Sequence, residues 1–152
     1  MNILFFLTPK ENVAHLDDDD TLRQALEKME HHGYSAIPML SKDGKYKGTI
    51  KEGDILWYIK DNGFPSLKEM EDIPILDIGR KRDIEAVNIS ISMDELVNKI
   101  TNQNFVPVVD DNNVFIGIIT RKDVILYLAN REMIEDSQTC LLYTSPSPRD
   151  YA

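Results

Sequence analysis

"YSAIPMLSKDGKYKGTIKEGDIL" (34–56) and "QNFVPVVDDNNVFIGIITRKDVI" (103–125) are the two stretches on which the fold turns. Laid one over the other, they bring Pro38 onto Pro107, Gly48 onto Gly117 and Asp54 onto Asp123, each pair 69 positions apart. Upstream, "TLRQALEKM" (21–29) matches "SMDELVNKI" (92–100). The chain therefore holds two copies of one unit, and a unit repeated in this way buries its core by pairing with its neighbour.

Each copy reads as strand, helix, strand, strand, helix, which is an α/β chain of the mixed α+β kind. "VAHL" (13–16) and "AVNIS" (86–90) are the short leading strands. Thr21 with Gln24, and Ser92 with Glu95, have the spacing of a capping box, in which the hydroxyl accepts from the first turn and the long side chain reaches back. Leu22, Ala25, Leu26 and Met29 then form a stripe at helical period, as do Met93, Leu96, Val97 and Ile100. "AIPML" with "KYKGTIK", and "FVPVV" with "VFIGIIT", are hairpin strands joined by turn chemistry, and a second helix closes each copy over 54–60 and 122–133. One unit leaves its sheet half covered; two related by a pseudo-twofold axis cover both. The expected division is 1–66 for the first copy with its N-terminal segment, 67–85 for an ordered linker and 86–135 for the second copy.

The bulk numbers exclude several classes. A net charge of −9 over 152 residues disfavours nucleic acid, so any bound anion must be held by local donors. The longest apolar run, Ile3 to Leu7, is too short to span a membrane, and no signal peptide is evident. The expected location is the cytoplasm. The single cysteine, Cys140, has no internal disulfide partner. Residues 140–150, "CLLYTSPSPRD", have no helical or strand period. They closely resemble the in-frame translation of a common sequencing-library adaptor, so 140–152 is read as a non-native tail and carries no fold argument.

The chemistry sits where a strand runs into a helix at Thr120-Arg121-Lys122-Asp123. Such a junction presents free backbone N–H groups and the positive end of a helix dipole, a natural anion site. Gly117 permits a close approach to the backbone. Thr120 can donate to a phosphate or cap the helix. Asp123, one turn on, is a poor anion ligand but a good acceptor for vicinal hydroxyls such as those of a ribose. Arg121 adds charge. Caps are the plain alternative for both Thr120 and Asp123. Proline cannot donate to a ladder, so "IPM" and "VPV" are expected at sheet edges, with free backbone groups to read a base.

The paired apolar-Pro-apolar strands and the G-h-h-[TS]-x-x-D motif, which "GIITRKD" fits fully, resemble a tandem pair of CBS domains, a Bateman module, over about residues 8–135. The resemblance implies a regulatory module that binds an adenosine compound (AMP, ADP, ATP, S-adenosylmethionine or a cyclic dinucleotide) in clefts between the copies and forms disc-like dimers. It implies that Thr120 meets phosphate or ribose and Asp123 the ribose, that Phe105, Val106 and Pro107 border the base, and that Ile119 is among the ligand-binding residues. In the first copy "GTIKEGD" puts Lys51 where the hydroxyl belongs and keeps Asp54; Tyr34, Ser35, Ile37 and Pro38 would border that site. "VAHL…GYSAIP" is similar to short CBS pairs read as cyclic di-AMP receptors. No cofactor is expected beyond this regulatory ligand, and an effector protein is the expected output.

Other candidates are weaker. "HLDDDD" (15–20) lacks the alternate spacing and turn glycine of a calcium loop and reads as a solvated helix entry. His31 and His32 are adjacent, so their side chains diverge. Trp57 lies among Ile55, Leu56, Tyr58 and Ile59 on a helix apolar on most sides, which needs cover: a homodimer through the second helices, or core packing. Two rival classes are kept open, a ligand-free dimerisation module and an enzyme subunit using His15 and Asp54. No metal site and no catalytic residues are expected.

Overall fold

The structure, a computed structural model, describes residues 2–137. The tail at 140–152, with Cys140, lies outside the described residues. A two-residue strand β1 (Thr8–Pro9) precedes the first repeat, which runs β2 (Leu16–Asp17), α1 (Leu22–His32), β3 (Ala36–Leu40), β4 (Tyr46–Lys51) and α2 (Glu52–Asp61). A short helix α3 (Leu67–Met70) and a 3-10 turn (Ile75–Asp77) lie in the connection. The second repeat runs β5 (Val87–Asn88), α4 (Met93–Ile100), β6 (Phe105–Val109), β7 (Phe115–Thr120) and α5 (Arg121–Ser137).

The leading strands are shorter than "VAHL" and "AVNIS" promise. β2 and β5 pair in parallel only with Met39–Leu40 and Val108–Val109. Val13 is instead buried in the core between the repeats. The proline strands also depart from expectation. β3 lies between β2 and β4, and β6 between β5 and β7, so both are internal. Pro38 and Pro107 are tolerated because each sits one residue before the stretch that β2 or β5 covers. The N-terminal halves of β3 and β6 thus have an open side within an internal strand.

Local signals account for the rest. At α1 the capping box closes fully: Gln24 N donates to Thr21 Oγ1 at 3.3 Å and Thr21 N to Gln24 Oε1 at 2.8 Å. At α4 the Glu95 N–H donates to Ser92 Oγ at 3.2 Å, while Glu95 Oε1 takes the Ser92 hydroxyl rather than its backbone. Leu22, Ala25 and Met29 on α1, and Leu96 and Ile100 on α4, are the buried stripe. Gly44 and Asn113 stand 69 positions apart at the two hairpin turns, with φ of +80° and +65°. The tips join each other across the molecule through Phe115 N to Gly44 O at 2.9 Å and Tyr46 N to Asn113 O at 3.1 Å.

The division by sequence copy and the division by core do not coincide. β1 adds to the second sheet, with Thr8 opposite Ile118 and Pro9 opposite Gly117, and Ile3 and Phe6 enter the second core. The connection returns the exchange: Met70, Ile75 and Ile78 enter the first core, anchored by Leu22 N to Ile73 O and Ile75 N to Asp20 O, both at 2.8 Å. A third core of Val13, Leu40, Phe105, Phe115 and Ile118 joins the repeats. Burial of such apolar surface is the dominant favourable term in folding, so the two repeats are held as one unit by apolar contact as well as by the exchanged segments.

A candidate ligand cleft between the repeats

A cleft of about 600 Å³ opens between the repeats. Ser35 and Ala36 line it from one side and Asn104 and Phe105 from the other. These are matched positions, 69 apart, so the cleft lies at the pseudo-twofold axis. Lys51, Glu52 and Gly53 from the first-copy junction close one wall, and Arg82, Asp83 and Ile84 from the connection close another.

In the first copy the junction is occupied by its own groups. Asp54 is buried, with 8% of its surface exposed. It accepts from Lys51 N at 3.0 Å and pairs with Lys51 Nζ at 3.3 Å. The same ammonium donates to Arg82 O at 2.5 Å. Lys51 thus ties the motif to the connection, and Asp54 caps α2.

In the second copy Thr120 is buried, and its Oγ1 accepts from Asp123 N at 3.1 Å. Its hydroxyl proton can still be donated. Asp123 is half-buried at the first turn of α5. Arg121 turns to the C-terminal end of α4, donating from Nε to Ile100 O at 2.8 Å and from Nη2 to Thr101 O at 3.4 Å. A cation there suits the negative end of that helix, so this guanidinium is already engaged. Val106, Ile119 and Ile37 are fully buried, and Pro38 and Pro107 are buried in their strands. None of these five lines the cleft, and neither do Thr120 and Asp123; of the residues expected around the base, Phe105 does.

Tyr34 is half-buried and its hydroxyl oxygen accepts from Ala14 N at 3.2 Å. Gln103, 69 positions later, accepts from Glu85 N at 3.1 Å and donates to Glu85 O at 3.2 Å. Each residue pins the segment leading into its own repeat. Sequence reasoning missed Gln103, and it missed the connection 80–84, where Asp83 Oδ1 accepts from Thr49 N at 3.0 Å and Oδ2 from Arg80 Nε at 2.9 Å. The charge run "RKRD" beside Ile84 was the available signal.

Asp17, Asp19 and Asp20 bring carboxylates together. Asp20 is spent on Asp17 N at 2.9 Å and Lys28 Nζ at 3.3 Å, which gives the group an internal counter-ion. His15 lies 3.8 Å from Asp17, and burial lowers its pKa against the pull of that carboxylate. His15 and Asp54 belong to separate ion pairs. No helix among the described residues is long and apolar enough to cross a membrane.

Comparison with known proteins agrees with this geometry. The CBS domain profile matches residues 6–61 and again 75–130. The chain is 28% identical over 120 residues to cyclic di-AMP receptor B of Bacillus subtilis, covering 79% of this chain and 81% of that protein. It superposes on the crystal structure of CbpB in complex with c-di-AMP with a TM-score of 0.82 at 28% identity, covering 91% of each chain. It is also 27% identical over 143 residues to inosine-5'-monophosphate dehydrogenase of Methanocaldococcus jannaschii, which takes 93% of this chain but only 27% of that enzyme's length. With two matched repeats, a pseudo-twofold cleft and a strand–helix motif in each copy, the chain belongs to the CBS domain family as a tandem pair.

Proposed function

We propose that this protein is a regulatory nucleotide-binding module that takes an adenine nucleotide, cyclic di-AMP first among them, and signals occupancy to a partner protein. The observation that carries the reading is the cleft on the pseudo-twofold axis in a fold that superposes on a c-di-AMP complex. Thr120 and Asp123 are the ligand residues of the second-copy site, with Phe105 beside the base and Lys51, Asp54 and Tyr34 at the first. The second-copy site binds more tightly, because at matched positions it has a hydroxyl where the first has an amine already engaged. The protein acts in the cytoplasm, where the nucleotide pool lies, and has no catalytic role of its own. Calorimetry with cyclic di-AMP tests this: one dominant site is expected, and Thr120→Val should weaken it at least tenfold. Binding that survives Thr120→Val and is abolished by Lys51→Ala would reverse the ranking.

A second reading is favoured by a specific observation. Thr120 Oγ1 and Asp54 both already serve as helix-start acceptors, so the module could dimerise without a ligand. Leu56 is 57% exposed and Ile125, 69 positions on, is 55% exposed, so α2 and α5 each present an apolar residue at the same place. Trp57 is 50% exposed beside them. A homodimer through these helices fits either reading, and a ligand-induced thermal shift separates them: ligand at about 100 times its Kd adds about 2.7 kcal/mol of stability. Trp57→Glu should give a folded monomer by light scattering.

A further inference from the structure

The two copies invert one charge pattern at matched positions. Leu16 pairs with Met39 and Val87 with Val108, so ahead of the leading strand the matched positions are 71 apart. On that register Arg82 corresponds to Glu11, while Glu52 corresponds to Arg121 at the 69-residue spacing of the motif. At these matched positions the pair Glu52 and Arg82 is answered by the pair Arg121 and Glu11, with the charges exchanged.

The ion pairs of the first cleft leave a definite remainder. Lys51 is taken up by Asp54 and by the Arg82 carbonyl. Asp83 is taken up by Arg80 and by two backbone N–H groups. Arg82 and Glu52 both line the cleft, and neither side chain has a hydrogen bond or ion pair among the described residues. We propose that Arg82 is the anion-binding residue of the first cleft, and that Lys51 is its positioning residue, holding the connection against the cleft by the Arg82 carbonyl. A guanidinium matches a phosphate through paired N–H donors. Glu52 is an acceptor for ribose hydroxyls or an exocyclic amine, and Phe105 and Ile84 supply an apolar wall. One cation, one carboxylate and an apolar wall suit a nucleoside monophosphate. The assignment rests on the nucleotide-binding reading above and extends its first-copy site.

The test uses the full chain with AMP and adenosine as probes, in a Thr120→Val background that isolates the first cleft. Arg82→Ala should weaken AMP at least tenfold and erase the preference for AMP over adenosine, and Arg82→Lys should restore part of it. Lys51→Met should weaken AMP less. It should also speed tryptic cleavage within 80–82 in the ligand-free protein, a change that loss of an anion contact alone would not produce. If the native chain binds AMP and the Arg82→Ala variant in the same background binds it equally well, this assignment falls and the nucleotide reading stands. If the native chain binds neither AMP nor cyclic di-AMP, both fall. Unchanged cleavage in Lys51→Met removes the positioning role of Lys51.

Discussion

The two repeats solve one problem, how to cover the outer side of the strand before the motif, with different chemistry. In the second copy the covering group is backbone: β1 lies along β7, whose Phe115 and Ile118 are buried in the core that joins the repeats. In the first copy the covering groups are side chains. Arg80 and Asp83 lie over Gly48, Tyr46 stands where the second copy has Phe115, and Thr49 where it has Ile118. A strand pairing fixes a segment through many small bonds, whereas a side-chain latch fixes it through a few that single substitutions can open. The first-copy side of the molecule is thereby the adjustable one, and it is the side where the connection forms a wall of the cleft.

The largest effect that would break this comparison is at the two glycines. A Cβ on Gly117 would run into the Thr8 carbonyl oxygen, and φ there is +156°. A Cβ on Gly48, at φ +135°, would meet Asp83 Oδ2 at 2.7 Å and Arg80 Nε at 2.9 Å. Backbone cannot yield without losing β1, while the ends of side chains can. Gly117→Ala should cost about 3–4 kcal/mol by denaturant unfolding and Gly48→Ala about 1–3 kcal/mol, much of it φ strain. Equal costs would mean that the latch is as rigid as the strand.

The next effect concerns the carboxylates. Asp123→Ala should cost about 1.5–3 kcal/mol of nucleotide affinity if a charge-assisted bond to a ribose is lost. Asp123→Asn should recover part, since the amide oxygen still accepts. For cyclic di-AMP the relevant comparison is the 2′-deoxy analogue, because its 3′ oxygens are esterified. Equal binding of the two by the native protein would return Asp123 to the role that Asp54 plays, a helix-start residue.

How much of this was legible follows from which forces are local. The repeat, the caps at Thr21 and Ser92, the buried stripes and the hairpins were readable because each is set by residues within a few positions of one another. The internal placement of Pro38 and Pro107 was not, since it depends on how far a distant two-residue strand reaches. The exchange of leading segments was not legible either: Ile3 and Ile75 are simply apolar, and nothing adjacent to them names the core they enter. The site was readable as a motif at 120–123. The capture of Lys51 by Arg82 joins residues 31 apart through a backbone carbonyl, a partner that carries no side-chain signature.

Tyr46 sharpens the comparison at a smaller scale. Its hydroxyl donates to Ile84 O at 2.6 Å and lies 2.6 Å from Thr49 Oγ1, and burial pushes its pKa well above the ordinary tyrosine value. Its ring stacks against Phe115 at 6.4 Å between centroids, 22° between planes. Tyr46→Phe makes the first copy match the second at this position. It should keep the stack, lose the tie to Ile84 and cost about 1–2 kcal/mol, since two partners are left unsatisfied. Faster hydrogen exchange in the connection than in β1 would place the loss at the latch; uniform loosening would place it in the joint core.

The smallest expected effect is a pH dependence confined to the first copy. His15 corresponds to Ala86 in the 71-residue register of the leading strands. Burial lowers its pKa below the ordinary 6.5, with Lys10 and Lys28 acting in the same direction and Asp17 opposing. The folded protein therefore holds this proton less tightly than the unfolded chain. Below the unfolded value the unfolded state binds more protons, so the contribution of a neutral His15 is present above about pH 6.5 and is lost as pH falls through the folded pKa. The imidazole is a third exposed, and solvent keeps the effect small. The denaturation midpoint should drop between pH 7.5 and 5.5, and His15→Ala, which copies the second repeat, should flatten that part of the drop. A variant whose midpoint falls as steeply as the native protein's would show that Asp17 offsets the burial in full and that the titration lies elsewhere.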